Sequence, residues 1–230
     1  MKAFIIYIPN VQSIEYARSA KQSFLEFTGW SPELFLGITP ETLSVVESQY
    51  NIKTKLHSRA TDFYNNNYAT YITKKCCSLN HYRLFKKCVM LNEPIAIIEH
   101  DAHCIGDWQY EVFDDILVMN ICSALTQATL LPIVNMNKCP TIPGINNINI
   151  NGLSYRHDPD INGAHMMPGT ASYAVTPQGA KKMIDVYEKI GWEQSDFIIN
   201  TAYVTIQTIV PELFTFKLPN LSMSHGISSI

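Results

Sequence analysis

Two apolar runs stand out along the chain: Ala3 to Ile8 (AFIIYI) and Ile95 to Ile98 (IAII). Unbroken runs of this kind, without the alternation of a half-wet strand, mark strands buried on both faces. The first is ended by Pro9-Asn10, after which Ser13 can cap a helix with Ala17, Ala20, Phe24 and Phe27 on one face. Trp30 to Ile38 reads as a strand or loop between two turn signals, and Pro40-Glu41 suits the first turn of a helix reaching about Tyr50. Asn51 to Thr73 is polar, with Asn65, Asn66 and Asn67 at its centre and Tyr64, Tyr68 and Tyr71 around them. A long connection of this sort is expected to be a loop beside a site.

From Lys75 to Leu91, Cys77, Leu84, Phe85, Cys88 and Val89 recur at helical spacing, with His81 on the same face. A histidine on a buried face needs a polar partner. Ile116 to Ile121 and Ala128 to Val134 predict two more strands, and Asn135 to Asn151, rich in Asn, Pro and Gly, predicts an irregular excursion. Ala171 to Val175 is a short strand. Thr176-Pro177 then opens, and Gly191 closes, a helix with Ala180, Met183, Ile184, Tyr187 and Ile190 on one face. Gln194-Ser195-Asp196 can cap a further helix through Phe197, Ile198 and Ala202, and Thr205 to Val210 is the last strand before a Pro-punctuated tail. Strands alternating with helices over 230 residues predict one α/β domain.

Composition refines this picture. No run reaches the length of about 18 apolar residues that a membrane span needs, and Met1-Lys2 leads directly into a strand, so the expected location is cytoplasmic. The cysteines at 76, 77, 88, 104, 122 and 139 lack zinc-site spacing and read as reduced thiols, mostly buried. The net charge of −3 conceals a segregation. Eight Lys or Arg stand against Asp62 alone between Lys53 and Lys87, and nine against nineteen acids elsewhere. The basic segment is a candidate surface for a polyanion or pyrophosphate, although Lys74, Lys75, Arg83, Lys86 and Lys87 are expected mostly on the solvated side of their helix.

The candidate chemistry lies where the second apolar run meets Glu99-His100-Asp101, with His103 close behind. In α/β sheets the carboxyl ends of strands open onto the ligand crevice. Two carboxylates and two imidazoles there favour a cation or a ligand that carries one. The alternative is a solvated turn in which Asp101 caps the next element. The Asn10 loop and Arg18 fall near the carboxyl end of the first strand, where a nucleotide could sit.

Three segments resemble glycosyltransferase family 25, the group that includes bacterial lipooligosaccharide galactosyltransferases. They are Ile6-Tyr7-Ile8-Pro9-Asn10 with Arg18; Cys77-Ser78-Leu79-Asn80-His81 followed by Ile97-Ile98-Glu99-His100-Asp101; and Gly169 to Thr176 with Gly179-Ala180, then Asp196. Asn80 stands where the family usually has serine, and His100 replaces a carboxylate, as in short phage-type members. The resemblance implies an α/β GT-A-like fold: a Rossmann-type mixed sheet flanked by helices in a single domain, with a nucleotide-sugar half at about 1–110 and an acceptor half at about 111–230. It implies transfer of a sugar from a nucleotide-sugar donor, a UDP-sugar foremost, to a glycan or to a hydroxymethylated base of phage DNA.

Carried over residue by residue, the resemblance nominates Pro9, Asn10, Arg18, His81, Glu99 and His100 for the donor, and His165, Ser172 and Tyr173 for the acceptor. Asp101, with Glu99 or His103 and with His225, would hold Mn²⁺ or Mg²⁺ on the diphosphate. Asp196 would take the acceptor proton, with Asp158 and Asp160 as alternatives, and His165 or His225 would touch the diphosphate or complete the metal shell. Two other classes compete with this one: a metal-dependent hydrolase using residues 99 to 103, and a non-catalytic nucleotide- or glycan-binding module.

Overall fold

The computed structural model describes residues 1–50, 68–109, 112–121, 141–148, 163–167 and 169–216. The strands are β1 (Lys2–Tyr7), β2 (Ser31–Leu36), β3 (Ile95–Glu99), β4 (Ala102–Cys104), β5 (Ile116–Val118), β6 (Gly144–Asn147), β7 (Ser172–Val175), β8 (Ile206–Val210) and β9 (Phe214–Phe216). The helices are α1 (Val11–Ser23), α2 (Leu43–Tyr50), α3 (Tyr68–Leu91), α4 (Pro177–Ile190) and the single turn α5 (Ser195–Ile198). The main sheet runs β2-β1-β3-β7-β5-β8-β6, and β4 pairs with β9 beside it. β1 is parallel to β2 and β3, and β5 to β8, while β7 is antiparallel to β3 and β5 and β6 to β8. The result is a mixed α/β single domain consistent with a GT-A-like fold. Because β7 lies between β3 and β5, residues 172–175 pair directly with the first half of the chain.

Helices cover both faces, which explains why β1 and β3 read as continuous apolar runs. On one face Phe4, Ile95, Ile97, Tyr173 and Val118 pack against Tyr82 and Phe85 of α3 and Met183 and Tyr187 of α4. On the other, Ala3, Ile5, Ala96, Ile98 and Leu117 meet Ala17 and Ala20 of α1 and the aromatic group Phe24, Trp108 and Phe214. Among the described residues β2 is an edge strand paired with β1 alone, and it carries Pro32, which an edge strand tolerates.

Several local expectations are corrected. Asn10, not Ser13, caps α1: its Oδ1 accepts the Ser13 amide at 2.7 Å, while the buried Ser13 hydroxyl accepts the Ile8 amide at 3.0 Å. Residues 68–73, expected in a loop, begin α3. β6 forms inside the stretch expected to be irregular, because Gly144–Asn147 finds β8 as a partner, and β9 forms in the expected tail against β4. The helix after Gln194 stops after one turn, since Ile199 turns extended and its carbonyl accepts the Met167 amide at 3.0 Å. Helix α4 runs as expected, with Thr176 accepting the Gly179 amide and Gly191 at φ +98° closing it. The proposed strand at Ala128–Val134 lies outside the described residues, as do Cys122 and Cys139; Cys76, Cys88 and Cys104 are buried free thiols.

The basic residues of α3 depart most from expectation. Lys74 and Lys75 are buried, at 4% and 6% exposure, the first donating to Gln194 Oε1 and the second forming an ion pair with Glu47 beside the Trp192 ring. Lys86 pairs with Glu188, Arg83 donates to the Leu36 carbonyl over the Phe35 ring, and Lys87 sits over Phe4. These five cations hold elements together and do not form a phosphate-facing surface. No described helix is long and apolar enough to cross a membrane.

Candidate active site

The carboxyl ends of β1, β2, β3, β5 and β8 share one edge of the sheet, together with the start of β7. Glu99 closes β3 there, its amide donating to the Ala171 carbonyl at 2.8 Å. By strand alternation its side chain follows Ile95 and Ile97 onto the α3 face. Glu99 Oε1 accepts from Thr170 Oγ1 at 2.7 Å and lies 3.6 Å from Nε2 of His81. His81, 2% exposed, has its other ring nitrogen 2.8 Å from the Tyr173 hydroxyl, and the two rings stack at 5.7 Å. The partner that a buried histidine needs is therefore supplied by β7. Burial opposes ionisation of Glu99, but His81, Thr170 and the nearby His100 outweigh it and hold the carboxyl below its ordinary range.

Lys74, Cys77 and His81 follow one another at i, i+3 and i+7 along α3 and form a row on one side of the helix. Cys77 is exposed to solvent. Its thiol is pushed up to about 12 by burial first, then by the charge of Glu99. The row joins two ends of the site: His81 meets Glu99, and Lys74 meets Gln194, two residues before Asp196.

Past Glu99 the chain turns. His100 points to the opposite face, where its ring stacks on Tyr16 of α1 at 6.0 Å and 11°. Burial lowers its pKa, against the charge of Glu99 and a hydrogen bond with the Ile6 backbone, so this imidazole is neutral at pH 7 and ties the turn to β1 and α1. Asp101 has the opposite environment to Glu99. Burial, and then the charge of Glu99, push it from 3.8 to about 7, and its Oδ1 is buried without a hydrogen-bond partner. His103 sits half-buried in β4, paired across to Thr215.

The remaining nominated residues are spread around this centre. Pro9 is exposed beyond β1, and Asn10 spends its side-chain oxygen on the α1 cap. Arg18 is exposed two positions after Tyr16, which puts it on the other flank of α1 from His100. Ser172 is buried in β7 opposite Ile98, on the face away from Tyr173. His165 is tied to Thr201 by two backbone-amide bonds of 2.8 and 2.9 Å, and Asp196 occupies the first turn of α5. Asp158, Asp160 and His225 lie outside the described residues.

Among the described residues no three His, Cys, Asp or Glu side chains converge on a point that could hold an ion, so Glu99, Asp101 and His103 do not by themselves make one. Glu99 is engaged by Thr170 and His81, and His103 belongs to the separate β4–β9 pair.

Residues 6–199 match the model of Glycosyltransferase family 25 (LPS biosynthesis protein). The chain belongs to that family. No curated protein matches it.

Within this family 25 glycosyltransferase, two buried asparagines gain a meaning that the sequence did not disclose. Asn80, where the family usually has serine, is 3% exposed, and its Oδ1 accepts the Ile38 amide at 2.7 Å, fixing the β2–α2 connection onto α3. Asn120, at the carboxyl end of β5, is fully buried, and neither atom of its amide has a hydrogen-bond partner. Its only sequence signal was a polar residue inside a run expected to be strand. A depression of about 390 Å³, lined by Asp114, Asn147, Lys182, Thr201 and Tyr203 among others, opens at the amino ends of β5 and β8. It is on the edge away from Glu99 and Asp101, and its Lys182 is held by Asp115 at 2.6 Å.

Proposed function

We propose that this family 25 member transfers a sugar from a nucleotide-sugar donor, a UDP-sugar, to a hydroxyl of a glycan acceptor by direct displacement. The observation that carries this reading is the pair Glu99 and Asp101 at one strand end, held in opposite protonation tendencies. Glu99 is kept ionised by His81 and Thr170, and Asp101 is raised to about 7 with a free carboxyl oxygen. Two carboxyl groups pushed apart in this way suit an electrostatic role and a proton-transfer role respectively.

In the reaction proposed, the acceptor oxygen attacks the anomeric carbon and its proton passes to the Asp101 carboxylate. The bond from that carbon to the diphosphate oxygen breaks, and its electron pair leaves with the nucleoside diphosphate. Ionised Glu99 stabilises positive charge developing on the sugar ring. The sequence nominated Asp196 for the proton; Asp101 is preferred because its raised pKa matches a base working near neutrality. The resemblance to the family carries with it Mn²⁺ or Mg²⁺, but among the described residues no His, Cys, Asp and Glu side chains assemble around an ion. A glycan is preferred over DNA because the five described cations of the basic segment are all engaged within the fold.

The test is release of nucleoside diphosphate from a panel of nucleotide sugars, with Mn²⁺, with Mg²⁺ and with chelator, for the parent and for Asp101→Asn. Turnover of one donor, lost by about a hundredfold or more in the variant while donor binding persists, supports the reading. Full activity of Asp101→Asn would overturn the role given to that residue, and no binding of any nucleotide sugar by the parent would overturn the function.

A further inference from the structure

Depressions of about 300–1,000 Å³ are the size in which proteins hold small molecules. The one at the amino ends of β5 and β8, at about 390 Å³, falls in that range, and the reaction proposed above does not use it. Four segments line it: Asp114 before β5, Asn147 at the end of β6, Lys182 of α4, and the loop that carries Thr201, Tyr203 and Thr205 into β8. Two side chains behind the lining hold these segments together. Gln207 accepts the Asp114 amide on Oε1 at 2.8 Å and donates from Nε2 to Oδ1 of Asn147 at 3.0 Å. Asp115, 2% exposed, accepts both Lys182 Nζ at 2.6 Å and the Thr205 amide at 2.8 Å on Oδ2.

The lining keeps hydrogen-bonding capacity after these bonds are made. Among the described residues the Asp114 carboxylate and the Thr205 hydroxyl have no partner, the Lys182 ammonium keeps two of its three donors, and the Asn147 amide nitrogen keeps both of its own. Thr201 Oγ1 accepts the His165 amide at 2.8 Å and still has a proton to donate. Charge decides what class of ligand suits this set. The ammonium is already paired with buried Asp115, and exposed Asp114 adds a second carboxylate, so a phosphate would meet net repulsion. Neutral hydroxyls, each of which both donates and accepts, match donors interleaved with a carboxylate. Tyr203 brings an aromatic ring to the same wall, the apolar body with a polar tip that suits the C–H face of a pyranose.

We infer that this depression is a second carbohydrate-binding site, which takes a neutral saccharide independently of the donor. The sheet register separates it from the carboxyl pair. Ile116 at the start of β5 pairs with Val175, and Val175 pairs with Ile95 at the start of β3, the strand that Glu99 ends. Four residues along a strand and two or three strands across it amount to about 15–20 Å. One sugar cannot occupy both places, and an extended glycan spans them. The identity of the ligand as a remote part of the acceptor glycan rests on the transferase reading above; the site itself rests on its lining alone. A glycan held there by one end keeps its other end at a raised local concentration near the reaction centre.

The experiment titrates the whole chain with the methyl glycosides of glucose, galactose, mannose and N-acetylglucosamine and with their di- and trisaccharides, following backbone amide resonances. The parent is compared with Asp114→Ala and Asn147→Ala, both at exposed positions. Saturable shifts at Asn147, Thr201 and Thr205 are expected for at least one saccharide, with affinity reduced about tenfold or more in each variant. Melting temperature and release of nucleoside diphosphate from the nucleotide sugar should be unchanged in both. No saturable shift at these amides with any saccharide overturns the site. So do shifts confined to the carboxyl end of β3, which would place the saccharide at the reaction centre alone, and equal affinity in parent and both variants. Saccharide binding here in a chain that cleaves no nucleotide sugar leaves the site standing and removes the transferase reading. Cleavage of a nucleotide sugar without saccharide binding here does the reverse.

Discussion

The Tyr173 hydroxyl lies 2.8 Å from Nδ1 of His81, joining residues 92 positions apart in the chain. Through the other ring nitrogen His81 reaches Glu99, so β7, α3 and β3 meet in one polar line inside an otherwise apolar core. Tyr173→Phe removes the hydroxyl and leaves a buried imidazole nitrogen without its partner, which costs about 1–3 kcal/mol. A fall in melting temperature together with reduced turnover is expected. An unchanged melting temperature would mean that the ring nitrogen finds another partner.

The pH dependence of stability follows from Asp101. Its folded pKa, about 7, lies above the ordinary 3.8, so the folded chain holds more protons than the unfolded one between those values. The penalty is absent below about pH 4 and complete above about pH 7, so stability falls as pH rises through that window. Asp101→Asn should therefore melt several degrees above the parent at pH 8 and close to it at pH 4, measured by thermal unfolding at both. Glu99, held below its ordinary value, works in the opposite sense and loses its contribution as pH falls through its own lowered pKa. A parent and variant that differ equally at both pH values would rule out a raised Asp101.

Lys75 and Glu47 test the buried cations of α3. The ammonium, 6% exposed, depends on the Glu47 carboxylate and the Trp192 ring. Glu47→Gln leaves a buried charge uncompensated and should cost about 3 kcal/mol, whereas Lys75→Met, which removes the charge and keeps the stem, should be close to neutral. Chemical denaturation of both variants checks the asymmetry, and equal destabilisation would contradict it.

Gly179 opens α4 with its backbone against the loop before β5. A Cβ at that position would stand 2.4 Å from the Asp115 carbonyl oxygen, the same oxygen that accepts the Thr176 amide at 3.0 Å. Gly179→Ala should destabilise by roughly 1–3 kcal/mol through displacement of the helix start, despite alanine's better helix propensity. Gain of stability in a denaturant titration would show that the contact relaxes freely.

Patterns that live within a few residues were legible in the chain: the apolar runs of β1 and β3, the Thr176-Pro177 start and Gly191 stop of α4, and the need of His81 for a polar partner. The nomination of the carboxyl end of β3 rested on the same local reading, and the structure brings Glu99, Thr170, His81 and Tyr173 together there. What could not be read was every feature whose cause lies far along the chain. Gly144–Asn147 becomes a strand only because β8 offers an edge, and Lys74 and Lys75 are buried only because Gln194, Glu47 and Trp192 converge on them.

The protonation tendencies of Glu99 and Asp101 divide along the same line. The sequence by itself determined that two carboxylates share a strand end. Only the tertiary structure decided that one is held ionised by His81 and Thr170 while its neighbour, two residues away, is raised to about 7. The physical reason is that hydrophobic periodicity and capping are written in neighbouring residues, whereas desolvation and hydrogen bonding depend on which distant segments the sheet order brings alongside.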